Sequence, residues 1–337
     1  DHADHADHAD HADHADHADH ADHADHADHA DDRARLRFAA LSAVGVAVTV
    51  VVWRRSELVI LSWLSTDEEV ARYSVAFAAS AVLLTLSERF AGALTAPFSG
   101  LVHRGEGERL RAARGRAVRL LAIATLPLVG CAAGLGPAAI RVVYGDEYGR
   151  SGVVLLVMLA MMAALPVWTV SAAVLAAHGD ATSPLLAGAG AVVVDIALSV
   201  PLVAAHGALG AALASVGGQV TVISALSLLV RRRAGPTPWD VDSMGRALVV
   251  AAVAGGCAGG VAVLVPGPLG LAGAGLAALV ALVVAGRTAR PLTRADAAWL
   301  TASGGGRLGP RATRSLERFA RAPGGDAYEE ADATTSS

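Results

Sequence analysis

The sequence predicts an all-α, polytopic membrane protein. Hydrophobic residues make up 54% of the chain, charged residues only 17%, and the mean hydropathy is +0.48. Apolar runs of about twenty residues, the length of a helix that crosses a bilayer, follow one another from Leu36 onward. The runs are continuous rather than alternating. This favours helices over barrel strands, because backbone polar groups in hydrocarbon must be satisfied within the segment.

The chain begins with a repeat, since residues 1–30 are ten copies of Asp-His-Ala. This tract has no apolar face to pack, so residues 1–35 are predicted to be disordered. Low-affinity binding of a transition metal by the clustered imidazole and carboxylate groups is the alternative. Ten of the 31 acidic residues lie in the tract, so the remaining chain carries 27 arginines against 21 acidic residues, a net charge of +6.

From residue 36 the hydrophobic runs predict about eight transmembrane helices, which form one bundle plus two extra C-terminal helices. The predicted spans are 36–66, 70–102, 118–143, 151–177, 184–205, 209–230, 247–265 and 268–286. Most connections are short and rich in Gly, Pro, Asp and His, as turns are. Residues 287–337 are predicted to form a cytoplasmic tail that is first amphipathic and then disordered.

The placement of arginine predicts the orientation. Arginines cluster at 33–37, 104–116, 231–246 and from 287 onward, which are all on one side of this topology. The opposite side holds little beyond Arg72 and Arg150. By the positive-inside rule, both termini are cytoplasmic and the chain is a multi-pass protein of the cytoplasmic (inner) membrane. The basic segment 104–119 is expected to form a short amphipathic helix on the inner surface.

Three charges, Arg54, Arg55 and Glu57, interrupt the first span, AVTVVVWRRSELVILSWLST. An ionisable residue at the bilayer centre costs about 2.5–3.5 kcal/mol, so such residues normally face a protein interior or a water-filled cavity. Arg54 and Glu57 are three residues apart, share a helix face and can pair. Counting from Arg37 at about 1.5 Å per residue places Arg54 about 25 Å across the membrane, in the outer half. The alternative is that the cluster marks the rim of a protruding helix.

Further polar residues lie inside later spans. Glu88 and Arg89, in the middle of the second span, point about 100° apart on a helix, so they either flank a cavity or bond a neighbouring helix. Asp195 precedes Pro201 by six residues. Its carboxyl group is silent and protonated, hydrogen-bonded to a kinked helix, or a titrating group that couples transport to protons. Gln219 is expected to join helices.

Several function classes lack their sequence signatures. The sequence has no GxxxxGK[ST] loop, which excludes a self-contained ATP-driven motor. It has no Ser/His/Asp or metal-ligand constellation at a credible spacing, so we expect no catalytic residue, no metal site, no cofactor and no enzymatic activity. The short predicted outer loops leave no room for the catalytic loop of a membrane glycan polymerase or transferase.

Three segments resemble a known family: WRRSELVILSWLSTDEEVARYSVAF, GALTAPFSGLVHRGEGERLRAARGRAVRLL and LPLVGCAAGLGPAAIRVVYGDEYGRSGVVLLVML. The landmarks are a charged first helix before an acidic turn and Tyr73, Pro97 before a basic loop, and the VVYGDEY turn. Over residues 36–300 the chain resembles the second half of the polysaccharide flippases in the multidrug/oligosaccharidyl-lipid/polysaccharide superfamily, which is MATE-like.

The resemblance implies flipping of an undecaprenyl-pyrophosphate-linked oligosaccharide by alternating access, during surface polysaccharide biosynthesis. It places Arg54, Arg55 and Arg89 in a cavity that engages the pyrophosphate, and Glu57 and Glu88 belong to the same predicted binding set. A second copy or a separate chain is expected to supply the missing first bundle. Membrane lipids are expected partners and nucleic acid is not. The alternatives are a cation-coupled multidrug exporter of the same superfamily and a truncated, inactive membrane protein.

Overall fold

The computed structural model describes residues 40, 43, 57–303 and 319–320, without the side chains of residues 82, 84–92 and 299–303. The Asp-His-Ala tract and most of the predicted first span therefore lie outside the described residues. The described helices are α1 (57–64), α2 (Asp67–His103), α3 (Gly107–Tyr144), α4 (Ser151–Met162), α5 (Leu165–Ala177), α6 (Thr182–Ala234), α7 (Val241–Leu264), α8 (Pro268–Ala289) and α9 (Arg294–Ser303). A 3-10 turn, Asp146–Arg150, precedes α4.

The described chain is helical throughout, and its one β feature is an isolated bridge between Leu292 and Ala320. Four helices, α3, α6, α7 and α8, are long and apolar enough to cross a membrane. Asp146–Met162 and α5 form a fifth candidate, bent by 44° just before Pro166 in the first turn of α5. These findings confirm the prediction of an α-helical multi-pass membrane protein. The count of eight spans stays a prediction, because α2 is not among these candidates.

Helix α6 reverses direction at Gly207. As one straight helix its 53 residues would measure about 80 Å, far more than the roughly 30 Å of hydrocarbon in a bilayer. Gly207 instead adopts φ 57° and ψ −130°, a backbone conformation that glycine tolerates. The two arms then pack closely, since a Cβ added to Gly210 would lie 1.9 Å from the Leu202 carbonyl oxygen. α6 is therefore an antiparallel hairpin with arms 182–206 and 208–234.

The basic segment 104–119 differs from its prediction as a separate surface helix. From Gly107 it is the first part of α3, which continues without a break to Tyr144. No proline or turn residue separates the basic stretch from the apolar one, so a single helix forms. The guanidinium of Arg114 is buried and donates to the Gly235 carbonyl at 2.8 Å. The basic first part of α3 therefore binds the connection that follows α6.

The connections between helices gather at two opposite ends of the bundle. At the arginine-rich end, formed by connections 104–106, 178–181, 235–240 and 290–293, Arg233 pairs with Asp180 at 2.7 Å and Arg246 donates to the Ala289 carbonyl at 2.9 Å. At the opposite end, Glu69 of α2 accepts a hydrogen bond of 2.8 Å from the Ala208 backbone N–H. This carboxylate caps the second arm of α6, where the helix N-terminus favours negative charge.

Exposed aromatic side chains lie near both ends. Trp63 and Tyr144 are exposed near the end that holds Gly207, and Trp239 is exposed at the arginine-rich end. Tryptophan and tyrosine concentrate at the two interfaces of a membrane, where an amphipathic ring meets head groups. The apolar band between the two ends is thus bordered as in a protein that crosses a bilayer.

Candidate functional site

Two acidic side chains far apart in sequence meet inside the bundle. Glu57 lies in α1 and Asp195 in the first arm of α6, and they are only 6% exposed each. The two carboxyl groups are close enough to interact electrostatically. We call the group that surrounds them the acidic cluster: Glu57, Tyr73, Asp195, Ser199, Ser215 and Gln219.

The α6 hairpin places the polar residues of its two arms at matching depths. Asp195 precedes Gly207 by twelve residues and Gln219 follows it by twelve, while Ser199 and Ser215 are each eight residues from the turn. At about 1.5 Å per residue, these levels lie about 18 Å and 12 Å below the turn. The arms touch here, because a Cβ added to Gly218 would lie 3.0 Å from the Asp195 Cβ. The absence of a side chain at Gly218 lets the two polar levels come together.

Helices α1 and α2 complete the cluster. Ser215 Oγ donates a hydrogen bond of 2.8 Å to Glu57 Oε1, which joins α1 to the second arm of α6. The ring of Tyr73 is buried, and its hydroxyl lies beside Ser215 and interacts electrostatically with both carboxyl groups. Tyr73 also stacks with Phe77, with ring centroids 6.3 Å apart. Three segments of the chain therefore converge on the two acids.

Two oxygen atoms of the cluster lack a hydrogen-bond partner among the described residues. Asp195 Oδ1 and Ser199 Oγ are both buried and unsatisfied, and the two residues are one helical turn apart on the same face. Buried polar atoms are normally satisfied, since an unmet hydrogen bond costs roughly 1–3 kcal/mol. Both oxygens can accept a hydrogen bond, and the Ser199 hydroxyl can also donate one, so the site can take up a proton or a cation.

The chemistry available to this arrangement is the binding of a positive charge. Two carboxylates buried in low dielectric repel each other, and each pays a desolvation cost of several kcal/mol. A shared proton or a bound monovalent cation cancels one of the two charges, which removes the repulsion and lowers the desolvation cost. No group of three or more His, Cys, Asp or Glu residues that could hold a metal ion occurs in the described part of the chain. The cluster is instead a pair of acids with hydroxyl and amide neighbours.

The structure bears on only some of the predicted site residues. It brings Glu57 and Asp195 together, although the sequence placed them in separate proposals. Arg54 and Arg55 lie outside the described residues, and the side chains of Glu88 and Arg89 are not described.

Sequence reasoning missed Tyr73, Ser199 and Ser215 as members of a site. The polar residues lie at equal distances in sequence on either side of Gly207, and this spacing could have indicated the site. The sequence predicts Gly207 only as part of a connection between two spans. Counting outward from that turn pairs Ser199 with Ser215 and Asp195 with Gln219.

The fold and the cluster define a multi-pass α-helical membrane protein with buried acidic groups in its helical interior. Comparison with known proteins adds no closer assignment: no family model, no curated protein and no solved structure matches the chain.

Proposed function

We propose that this protein is a flippase half that moves an undecaprenyl-pyrophosphate-linked oligosaccharide across the cytoplasmic membrane by alternating access, driven by proton binding at the acidic cluster. The observation that carries the proposal is the convergence of Glu57 and Asp195 at a buried site with unsatisfied oxygens. Intramembrane ionisable groups that face a protein interior are typical of proton and ion pathways. The arginine-rich end is cytoplasmic in this proposal.

The proposed mechanism couples protonation to helix movement. With both carboxyl groups ionised, repulsion favours separation of α1 from the α6 hairpin. A proton on the pair removes this repulsion and lets Glu57, Ser215 and Asp195 pack together. Arg54 and Arg55 precede α1 by only three and two residues in the sequence, so a movement of α1 is proposed to transmit the proton's binding energy to the residues that hold the pyrophosphate. No covalent bond is broken.

A cation-coupled multidrug exporter is the second candidate. The acidic cluster favours it to the same degree, because such an exporter also needs a buried anionic site. The two candidates differ in cargo: a flippase needs Arg54, Arg55 and Arg89 for a pyrophosphate, whereas an exporter of organic cations does not. Only 4% of the residues are aromatic, which disfavours a pocket for flat hydrophobic cations.

Export of surface polysaccharide tests the proposal, in a host that lacks its own flippase and receives this chain with the gene for a first bundle. Glu57→Gln and Asp195→Asn should each reduce export by roughly tenfold or more, about 1.4 kcal/mol of coupling. Asp242→Asn is the matched control, because Asp242 is an exposed partner of Arg246 at the arginine-rich end. Equal export from all three variants, at equal protein levels, contradicts the role of the cluster.

Substitution of the arginines proposed to bind the pyrophosphate tests which cargo the protein carries. Replacing Arg54, Arg55 or Arg89 with Ala should abolish export while the protein stays in the membrane, whereas Arg104→Ala, at an exposed position, should not. Dye efflux that survives these replacements and collapses with the ion gradient would instead identify the exporter.

A further inference from the structure

A groove opens on the surface of the bundle between α3, α4 and α7, away from the acidic cluster. Its volume is about 670 Å³ and its lining is mostly glycine, alanine and a few larger aliphatic side chains. The floor consists of two helix backbones in contact, because a Cβ added to Gly130 would lie 2.2 Å from the Ala251 carbonyl oxygen. One turn further, a Cβ on Gly134 would lie 2.2 Å from the Gly255 carbonyl oxygen. The close approach of the two backbones shapes the groove above them.

The groove runs along the helices rather than across them. On α7 its lining extends from Leu248 to Val263, a separation of fifteen residues or about 22 Å along the axis. This is a large part of the roughly 30 Å of hydrocarbon in a bilayer. The groove faces outward from the bundle at membrane depth, where hydrocarbon chains are the surrounding medium. Its shape therefore suits a long, thin apolar chain.

Among the described residues one charged side chain lines the groove, and it lies at one end. Arg141 is exposed in the last turn of α3, and it has no ion pair or hydrogen bond to the described residues. The guanidinium of Arg141 forms no salt bridge with Asp146 or Glu147 in the turn that follows. A guanidinium at the mouth of an apolar groove is complementary to an amphiphile with an anionic head and a hydrocarbon tail, because arginine binds phosphate in a bidentate manner.

We propose that this groove binds an acyl chain of a membrane phospholipid, with the lipid phosphate on Arg141. The site is separate from the proposed transport function and stands without it. A helix from a second copy is a rival occupant. Such a helix would leave the Arg141 charge uncompensated, because an apolar helix face offers no anion to a guanidinium.

Photolabelling of the full chain in nanodiscs tests the tail of the lipid. The probe is phosphatidylglycerol with a photoreactive group midway along one acyl chain, and the label should fall on peptides from α3 and α7. Gly256→Leu should reduce labelling by roughly fivefold. Gly256 lines the groove, and a Cβ there meets nothing within 4 Å. The variant therefore fills the groove without a clash inside the protein.

Gly260→Leu is the matched control. Gly260 lies on the same helix one turn further and also has open space around it, but it does not line the groove. This variant should label as the parent protein does. Equal labelling of the Gly256 and Gly260 variants overturns the proposal, and so does a disulfide-trapped dimer through α7 that excludes the probe.

Substitution of Arg141 tests its proposed contact with the lipid phosphate. Arg141→Gln should weaken retention of phosphatidylglycerol by roughly tenfold, the effect of losing one charge-assisted contact, as measured by native mass spectrometry. Arg150→Gln, at an exposed arginine in the adjacent turn outside the groove, should leave retention unchanged. If a polyprenyl phosphate displaces phosphatidylglycerol at much lower concentration, the groove belongs to a prenyl lipid and the proposed occupant is wrong.

Discussion

The Arg119–Asp296 pair at the arginine-rich end and the acidic cluster treat buried charge in opposite ways. At the arginine-rich end, the fully buried carboxylate of Asp296 accepts two hydrogen bonds from Arg119, at 2.6 and 3.0 Å, and Arg119 also pairs with Asp240 at 3.3 Å. In the acidic cluster, two carboxyl groups lie close together, and Asp195 Oδ1 and Ser199 Oγ have no partner among the described residues. The first arrangement satisfies its buried carboxylate, whereas the second leaves an oxygen of its buried aspartate able to accept a proton.

This difference separates the roles of the two regions. A paired charge holds elements together, so its loss should affect stability and leave coupling intact. The two acids of the cluster lie close together in low dielectric, so their neutralisation should affect coupling and leave the fold intact. Variants in each region can therefore be sorted by which of the two properties they change.

The largest effect is expected from Gly210→Val, which attacks the hairpin that carries the acidic cluster. A Cβ at this position would lie 1.9 Å from a backbone carbonyl oxygen of the first arm, and backbone cannot move aside as a side chain can. We expect a cost of about 3 kcal/mol or more and loss of the monodisperse protein in size-exclusion chromatography. Gly190→Val is the control on the same helix, since a Cβ there meets nothing within 4 Å. Equal behaviour of the two variants would refute the hairpin packing.

Asp296→Ala should have the next largest effect, because it leaves Arg119 with only one of its two carboxylate partners. The carboxylate also accepts a hydrogen bond from the Thr293 backbone N–H at 3.3 Å, while Thr293 Oγ1 caps the Asp296 N–H at 3.1 Å. Loss of a buried partner costs about 3 kcal/mol, so amide hydrogen exchange in α9 should accelerate about a hundredfold. Export should be retained. Loss of export with unchanged exchange would reverse the roles assigned to the two regions.

Ser215→Ala should have a smaller effect. It removes the hydrogen bond to Glu57, and we expect a loss of about 1 kcal/mol together with a changed pH dependence of transport. The control is Thr221→Val in the same arm, because the Thr221 hydroxyl donates only to its own helix, at the Gly217 carbonyl. A thermal-shift series with both variants measures how much stability each substitution removes. If only the thermal midpoint moves and the pH profile of export does not, Ser215 has a purely structural role.

The smallest effect concerns Asp180 at the arginine-rich end. Burial raises the pKa of its carboxyl group, but hydrogen bonds from Ser183 and the charge of Arg233 outweigh burial and bring the pKa below its usual range. The folded protein therefore binds this proton more weakly than the unfolded chain does. The stabilisation is present above the unfolded pKa of about 3.9 and is lost as the pH falls through the lower folded pKa.

Asp180→Asn should remove the part of the stability loss at low pH that comes from protonation of this carboxyl group. Thermal unfolding between pH 6 and the acid limit should show a shallower decline for the variant than for the parent. Asp242→Asn, at an exposed pair, should retain the parental slope. Identical slopes for Asp180→Asn and the parent would show that folding does not lower the pKa of Asp180 through Ser183 and Arg233.

Local patterns made the helices predictable, but long-range contacts were beyond reach. The apolar runs predicted the helical class, and the turn residues around Gly207 marked the connection at which α6 reverses. Sequence reasoning treated 104–119 as a surface element because its charges are dense, yet Arg114 and Arg119 find partners in connections more than a hundred residues later. Nothing local encodes those partners.

The candidate site shows the same limit. Glu57 and Asp195 were each recognisable as costly charges in apolar runs, but their meeting depends on how α1 packs against a hairpin that begins more than a hundred residues later. The equal spacing of serines around Gly207 was readable in principle, once the connection is taken as a tight reversal. The partnership with α1 was not, because no periodicity links the two segments.

Transport in proteoliposomes under an imposed proton gradient tests the proton-coupling role of the acidic cluster. The measurement follows the protection of a labelled undecaprenyl-pyrophosphate oligosaccharide from an impermeant quencher, with and without the gradient. The parent protein, with its first bundle supplied, should respond by about fivefold or more, within the usual range of coupling factors. The Glu57→Gln/Asp195→Asn double variant should lose this response while its thermal midpoint is unchanged. A double variant that responds to the gradient as the parent does would contradict the assignment of the acidic cluster as the coupling site.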